Sequence, residues 1–249
     1  MTAAVFGPML IVVCVIMAAA GAVIYWLAGL GKVWTVPVAA ARAAAQLAAI
    51  SAVLVAAMSR LWSSMLVLLV MFIVAAITAA GRSQAHRGPI WLALPLAAGL
   101  AAVIPLLLLT GLVPLQGAAL IPTVGIILGG TMTAVAVAAR RSLDTLTVRL
   151  GEVEAALSLG LSERDSRKLV IDRAIADALL PNVDQARTAG LVTLPGAFVG
   201  VLLATGSAAF AGAVQVLVLI GLLLAQGCGV AVTGELVARG RICGRRDAP

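Results

Sequence analysis

Long apolar segments, separated by short polar or basic breaks, constrain this chain more than any other feature of its sequence. The hydrocarbon core of a bilayer is about 30 Å thick, and a helix crosses it with about 20 mostly apolar residues. Apolar and polar residues do not alternate in these segments, which favours helices over the strands of a barrel. With 63% hydrophobic and 11% charged residues, the chain has too little polar surface for a soluble domain. The sequence therefore predicts an all-α, polytopic membrane protein.

Charged residues, glycines and prolines divide the chain into about seven predicted spans. We place these spans at residues 8–30, 34–58, 61–80, 90–110, 118–139, 190–206 and 211–238. The first run lacks the basic segment and the small-residue cleavage site of a secretory signal, so we expect it to remain as a spanning helix. We treat residues 1–249 as a single transmembrane domain.

The basic residues predict the orientation of the chain. If the spans alternate, the charged segment after the fifth span shares a side with Lys32, Arg82, Arg87, Arg239, Arg241, Arg245 and Arg246, and Arg60 lies opposite. An excess of lysine and arginine is typical of cytoplasmic loops. We therefore predict a plasma-membrane protein with its N-terminus outside and its C-terminus in the cytoplasm. The net charge of +7 is interpreted as a topology signal, and we expect no nucleic-acid partner.

Residues 140–188 form a charged insert, predicted to be cytoplasmic, with eight of the ten acidic and eight of the seventeen basic residues. Apolar residues recur at helical spacing and predict two amphipathic helices. These residues are Leu143, Leu146, Leu150, Val153 and Leu157, followed by Leu169, Ile171, Ile175 and Leu179. We expect a break near Gly160 and an N-cap at Ser162. The alternative is a solvated loop that joins two halves of a membrane protein.

One heptapeptide in the insert carries a functional signal. Glu154-Ala155-Ala156-Leu157-Ser158-Leu159-Gly160 resembles the EAAxxxG start of the coupling segment in ABC-transporter permeases. In such permeases a short helix fits a groove on a soluble ATPase, so that ATP-driven closure moves the spans. The chain has no GxxxxGK[ST] phosphate loop, so we expect ATP and Mg²⁺ to bind a separate ATPase and this chain to be a transport subunit, not an enzyme.

Over most of its length, the chain resembles the FetB-like permease family, which is linked to iron export in bacteria and aluminium tolerance in plants. The resemblance rests on Arg42, Gln46, Ile121-Pro122, Gly125, Gly129, Met132, Arg149, Glu152 to Leu157, Leu159-Gly160, Thr188, Gly190-Leu191-Val192, Leu194-Pro195-Gly196, Gly200 and Gln215. It implies a permease that forms a homodimer, pairs with a separate ATPase and exports a metal ion. The sequence departs from the family at Gly130, Ala197-Phe198-Val199 and Ser207-Ala208-Ala209, where the family usually has Asn, Met-rich residues and Pro.

Polar and special residues within the spans are candidates for a transport path or a hinge: Arg42, Gln46, Met132, Pro195, Gly196, Gln215 and Gln226. Charged groups in spans usually face a bundle or a cavity, although Arg42 could instead reach lipid phosphate. The two glutamines of the last span could form interhelical hydrogen bonds, and Met132 could simply pack. Pro195-Gly196 favours a hinge, or else marks where a helix begins. Cys14, Cys228 and Cys243 show no metal-binding spacing, and the metal ligands stay unknown.

Two other functions stay open at this stage. An ATP-independent transporter or channel would usually carry intramembrane carboxylates, and the predicted spans contain essentially none away from their ends. A membrane scaffold that binds a soluble protein through the insert is the second alternative.

Overall fold

The structure, a computed structural model, describes residues 7–57 and 61–244, and the side chains of all of these except 52–57. Arg60, Arg245 and Arg246 lie outside the described residues. The regular elements of the described part are helices, with two isolated β-bridges, which confirms the all-α prediction. The chain folds into two compact units, residues 1–59 and 60–249.

The first unit consists of α1 (Pro8–Leu27) and α2 (Thr35–Ala57), which pack against each other. Pro8 occupies the first turn of α1, where its missing N–H costs nothing. A Cβ on Gly21 would lie 2.9 Å from Cγ1 of Val36, so the glycine allows the two helices to approach closely. The described side chains of both helices are mostly exposed.

The second unit is a helical bundle with a 3₁₀ turn at Pro89–Leu92. Its helices are α3 (Leu61–Ser83), α4 (Ala93–Leu109), α5 (Gly117–Val148), α6 (Leu150–Ser158), α7 (Glu163–Asp177), α8 (Leu180–Thr188), α9 (Gly196–Thr205) and α10 (Ala208–Ala238). The longest two, α5 and α10, are central: α5 packs against α3, α4, α7 and α10, and α10 also packs against α4, α7 and α9.

Small residues let α4, α5 and α10 pack closely. A Cβ on Gly99 would lie 2.7 Å from the carbonyl oxygen of Ala225, and one on Gly229 would lie 3.0 Å from Cγ2 of Thr131. The hydroxyl of buried Thr131 donates to the carbonyl oxygen of Ile127 in its own helix, so it needs no partner across the interface. Close backbone approach of this kind is the usual way in which membrane helices associate.

Five described helical segments are long and apolar enough to cross a membrane: Pro8–Leu27, Leu61–Ser83, Pro89–Leu109, Gly117–Val148 and Ala208–Ala238. These segments agree with the first, third, fourth, fifth and seventh predicted spans, and the count of seven stays a prediction. The sixth predicted span, 190–206, is helical only from Gly196 to Thr205, which at 1.5 Å per residue covers about 15 Å. The reason is Pro195, which is extended and caps the helix, preceded by a tight turn at residues 188–193.

The insert differs from its two predicted helices, because the first of them is divided and α8 (Leu180–Thr188) is a further helix. With 32 residues, α5 is about 48 Å long, so it continues past the predicted end of the fifth span to Val148. A break at Arg149 (φ −109°, ψ 32°) then divides the single helix that we predicted between Leu143 and Leu157. The predicted N-cap is confirmed, since the hydroxyl of Ser162 accepts a hydrogen bond from the backbone N–H of Asp165.

Candidate functional site

The insert is anchored on the two central helices of the second unit. One hydrophobic cluster includes Leu143 and Leu146 near the end of α5, Val153 in α6, Val170 and Ile171 in α7, and Leu236 and Val237 near the end of α10. These side chains are buried. The insert therefore shares a continuous core with the bundle and is not a loose solvated loop.

A charged contact ties α7 to α10. Nε and Nη2 of Arg164 donate to Oε1 and Oε2 of Glu235 at 2.7 and 2.8 Å, a bidentate arrangement. The Glu235 carboxylate raises the pKa of Arg164 above its usual value, mainly through these hydrogen bonds. Nε of Arg239 also donates to Glu235, at 2.6 Å. The pair with Arg239 is visible in the sequence because it is four residues away, whereas Arg164 lies 71 residues from Glu235 and leaves no local signal.

Glycine 234 brings the same two helices together. A Cβ at this position would overlap Cδ1 of Ile175 in α7, so the Ile175 side chain would have to move to admit a larger residue. It precedes Glu235, and the close approach of α7 and α10 therefore coincides with the Arg164–Glu235 contact.

The predicted coupling residues lie on α6, which presents two different faces. Val153 and Ala156 are buried against the bundle, whereas Glu154 and Ala155 are exposed. Leu150, Leu157 and Leu159 are also exposed, by 50%, 42% and 82%. Exposed apolar side chains of this kind are typical of a protein-binding surface.

Gly160 gives α6 a defined end. Its φ of +89° is in the left-handed region that favours glycine. The N–H of Gly160 donates to the carbonyl oxygen of Leu157, and the N–H of Leu161 donates to that of Ala156. This pair of bonds is a Schellman motif, which satisfies the last carbonyl groups of a helix. The glycine of the heptapeptide thus has a structural role that its sequence position predicts.

A groove of 460 Å³ lies beside this region, between the end of α5 and α7. It is lined by Asp144, Thr145, Val148, Arg149, Val170, Arg173, Ala174 and Asp177. Val148 is 83% exposed, which adds a further apolar group to the surface around the start of α6.

The other predicted residues lie on α2, on α5 and at the start of α9. Arg42 and Gln46 are exposed on α2 of the first unit. Met132 is half-buried on α5 and packs against the main core. Pro195 is half-buried and Gly196 is the first residue of α9, so the proline precedes the helix and does not interrupt it. The roles of these residues in a path or hinge therefore stay predictions.

Two glutamines on α10 face the interior of the bundle. Gln226 is 1% exposed, and neither of its side-chain polar atoms has a hydrogen-bond partner among the described residues. Gln215 is 7% exposed, and its Oε1 is likewise unpartnered there. A Cβ on Gly130 would lie 3.0 Å from Nε2 of Gln226, so the absence of a side chain at Gly130 makes room for this amide. Sequence reasoning identified both glutamines but not the lack of partners.

Among the described residues, no group of three or more His, Cys, Asp or Glu side chains is placed to hold a metal ion. The described acidic side chain outside the insert, Glu235, is engaged by two arginines. The buried polar groups of the described part include the amides of Gln215 and Gln226 on α10 and several Ser and Thr hydroxyls.

A bundle of apolar spanning helices that carries an anchored polar insert defines a polytopic α-helical membrane protein. Within that class, the chain belongs to the family described as "Uncharacterised protein family (UPF0014)", whose pattern matches residues 8–241. This membership confirms the resemblance to FetB-like proteins, since FetB is among the relatives.

Three relatives illustrate the family. The chain is 32% identical to Protein ALUMINUM SENSITIVE 3 of Arabidopsis thaliana over 142 residues, 56% of this chain and 52% of that protein. It is 31% identical to UPF0014 membrane protein STAR2 of Oryza sativa subsp. japonica, covering 62% of this chain and 55% of that protein. It is also 31% identical to the Probable iron export permease protein FetB of Escherichia coli (strain K12), covering 46% and 43%. The matches thus span about half the length of these relatives, and no solved structure matches the chain.

Proposed function

We propose that this chain is the membrane-spanning permease subunit of an ABC transporter, driven by a separate ATPase, and that it exports a metal ion such as iron. The observation that carries this proposal is the geometry of α6, which is fixed to the bundle through Val153 and Ala156 and, together with its C-cap Leu159, exposes three leucines. A coupling helix needs both properties, because it must bind a soluble protein on one face and transmit force through the other. ATP and Mg²⁺ would bind the ATPase, with no cofactor in this chain.

The contacts of the insert suggest how motion would reach the membrane. Closure of the ATPase would displace α6, which shares its buried face with α7. α7 is joined to α10 by the Arg164–Glu235 contact and by the close approach at Gly234. Displacement of α6 would thus move the end of α10, whose buried face carries Gln215 and Gln226. Two permease copies with two ATPase copies would form the complex, as the resemblance implies.

The choice of cargo rests on the relatives and on the polar groups of the chain. One relative is named as a probable iron export permease. Amide oxygens and thioethers can bind metal ions, and in this chain such groups occur at Gln46, Met132, Gln215 and Gln226. We propose that some of these line the path of a metal ion, in the plasma membrane, with the insert and the C-terminus in the cytoplasm.

The proposal is tested by purifying the tagged chain gently from its native membrane and identifying co-purifying proteins by mass spectrometry. We expect an ATPase with a phosphate-binding loop in near-equal amount. The substitution Leu159→Asp should remove it, because the carboxylate would replace the 82%-exposed leucine at the C-cap of α6 without disturbing the core. Leu169→Asp is the matched control, since Leu169 is 66% exposed on α7 and should retain the ATPase. Absence of any ATPase under conditions that preserve known complexes, or equal loss in both variants, would contradict the assignment of α6.

A further inference from the structure

An apolar groove of 430 Å³ lies on the second unit, away from α6. It is formed by α3, by the 3₁₀ turn and by the first residues of α4, and its lining is Phe72, Ile90, Trp91, Ala93, Leu94 and Ala97. Ile90 is 80% exposed and Trp91 is 41% exposed. The groove is therefore an open surface feature and not part of the packed core.

The position of the groove along the chain places it at a membrane boundary. The segment of residues 84–88 is polar and exposed for the most part, and Pro89–Leu109 directly after it is long and apolar enough to span a membrane. Tryptophan is enriched where spanning helices meet the headgroup region. Trp91 thus marks the headgroup level, and the groove extends from it into the hydrocarbon.

The C-terminal segment holds Arg241 against the groove-lining Trp91 and pairs with the backbone at Arg87. The guanidinium of Arg241 lies over the ring of Trp91, 5.4 Å from its centroid. Arg87 pairs with Cys243 through the backbone, since the N–H of Cys243 donates to the carbonyl oxygen of Arg87 at 3.1 Å. Gly88 has a φ of +70°, and its α-carbon packs against the carbonyl of Arg241 so closely that a Cβ would overlap it. These contacts hold the guanidinium of Arg241 at Trp91 and place the backbone of Arg87 next to the C-terminal segment.

The positive charge at this place is not neutralised by the described part of the chain. Arg82, Arg87 and Arg241 are exposed and take part in none of the ion pairs found among the described residues. The described carboxylate nearest in sequence to Arg241 is Glu235, which Arg164 and Arg239 already engage. A groove for an alkyl chain thus meets uncompensated cations at headgroup level.

We propose that this surface is a binding site for an anionic phospholipid, with one acyl chain in the groove and the phosphate on Arg87 and Arg241. Charge complementarity selects this occupant. A zwitterionic lipid could fill the groove but brings no net charge to balance the guanidinium groups. This inference does not depend on the proposed transport function.

The test is to purify the full chain in mild detergent, exchange it into a mixture of phosphatidylglycerol and phosphatidylcholine, and count retained lipids by native mass spectrometry. We expect one phosphatidylglycerol per chain, retained at least tenfold more than phosphatidylcholine. The double substitution Arg87→Gln and Arg241→Gln should remove the preference. Ala97→Trp should fill the groove from an exposed position and remove the bound lipid while leaving all charges intact. The matched control, Arg173→Gln with Arg187→Gln, removes two exposed charges of the insert and should behave like the unaltered chain.

Equal retention of both lipids by the unaltered chain would overturn the proposal, as would a phosphatidylglycerol preference that survives both groove variants. A third outcome is tested by Ala97→Cys: oxidative formation of a disulfide-linked dimer through this position would show that a second copy covers the groove, and would also overturn the lipid site.

Discussion

The amide of Gln226 is buried in the second unit with no hydrogen-bond partner among the described residues, in a space that Gly130 leaves open. An amide in this condition loses its hydration and gains nothing in return, at a cost of about 1–3 kcal/mol. A transporter that alternates between packings can tolerate such a cost in one state if another state solvates the group. The buried and unpartnered amide of Gln226 is therefore the strongest candidate for a group that changes its surroundings during transport.

Replacing this amide should stabilise the described packing. Gln226→Leu removes the unsatisfied polar atoms at similar volume, so we expect the free energy of unfolding to rise by about 1 kcal/mol. Thermal unfolding of the purified chain in detergent measures the change. Gln185→Leu is the control, because Gln185 is exposed on α8 and its loss should leave the transition temperature unchanged. A less stable Gln226→Leu protein would show that the amide has a stabilising partner.

Two glycines with the same φ angle distinguish the cost of an unfavourable backbone conformation from the cost of a steric overlap. Gly88 and Gly111 both have a φ of +70°, but a Cβ on Gly88 would overlap the carbonyl oxygen of Arg241 whereas one on Gly111 would meet nothing within 4 Å. Gly111→Ala should therefore cost only the conformational penalty, about 1 kcal/mol, and Gly88→Ala should cost at least twice as much. Thermal unfolding of both variants tests this, and equal losses would contradict the packing of the C-terminal segment on this loop.

At the scale of elements, features that depend on neighbouring residues could be predicted from the sequence, whereas features that depend on tertiary contacts could not. The N-cap at Ser162 and the helix end at Gly160 could be predicted because each depends on residues within one helical turn. The break at Arg149 could not, since the apolar spacing continues through it and the tertiary packing of α6 decides the direction. The Arg164–Glu235 contact likewise depends on how α7 lies against α10. The lack of hydrogen-bond partners for Gln226 also depends on tertiary packing, so it could not be predicted from neighbouring residues.

The contact between α7 and α10 can be tested by exchanging its charges. Glu235→Arg leaves Arg164 facing a like charge, so we expect α7 to separate from α10 and the insert to be cleaved faster in limited proteolysis. The double substitution Arg164→Glu with Glu235→Arg should restore part of the resistance, because opposite charges face each other again. Arg239→Gln serves as the control, since its pair with Glu235 is on the exposed side of α10. Equal cleavage of all variants would show that this contact does not hold the insert.

At the scale of the whole molecule, contacts within the second unit bring several of its described basic segments together. The end of α10 contacts α7 of the insert, and the segment after it pairs with the loop that carries Arg87. The charge rule predicted that the insert, Arg82, Arg87, Arg239 and Arg241 share a side, and these contacts bring the corresponding elements together. The number of spans was harder to predict. Hydropathy does not show that α9 begins only after Pro195 and therefore has ten residues.

The predicted orientation can be measured by labelling single cysteines in intact cells with a reagent that does not cross membranes. In a chain whose Cys14, Cys228 and Cys243 are replaced, cysteines at Ser162 and Gln84 should be labelled only after the cells are opened, since both positions are predicted to be cytoplasmic. A cysteine at Thr2, predicted to be outside, should react in intact cells. The reverse pattern would invert the topology and place α6 where no cytoplasmic ATPase could bind it.

We propose that a separate ATPase drives this chain, and transport in a purified system tests this directly. The chain and its co-purified ATPase are reconstituted into lipid vesicles, and movement of ferrous iron across the membrane is followed with a metal-sensitive dye. We expect transport that requires both ATP and the ATPase. It should be lost with Leu159→Asp but kept with Leu169→Asp. Iron movement that continues at the same rate without ATP or without the ATPase would contradict the account and identify a channel or a secondary transporter.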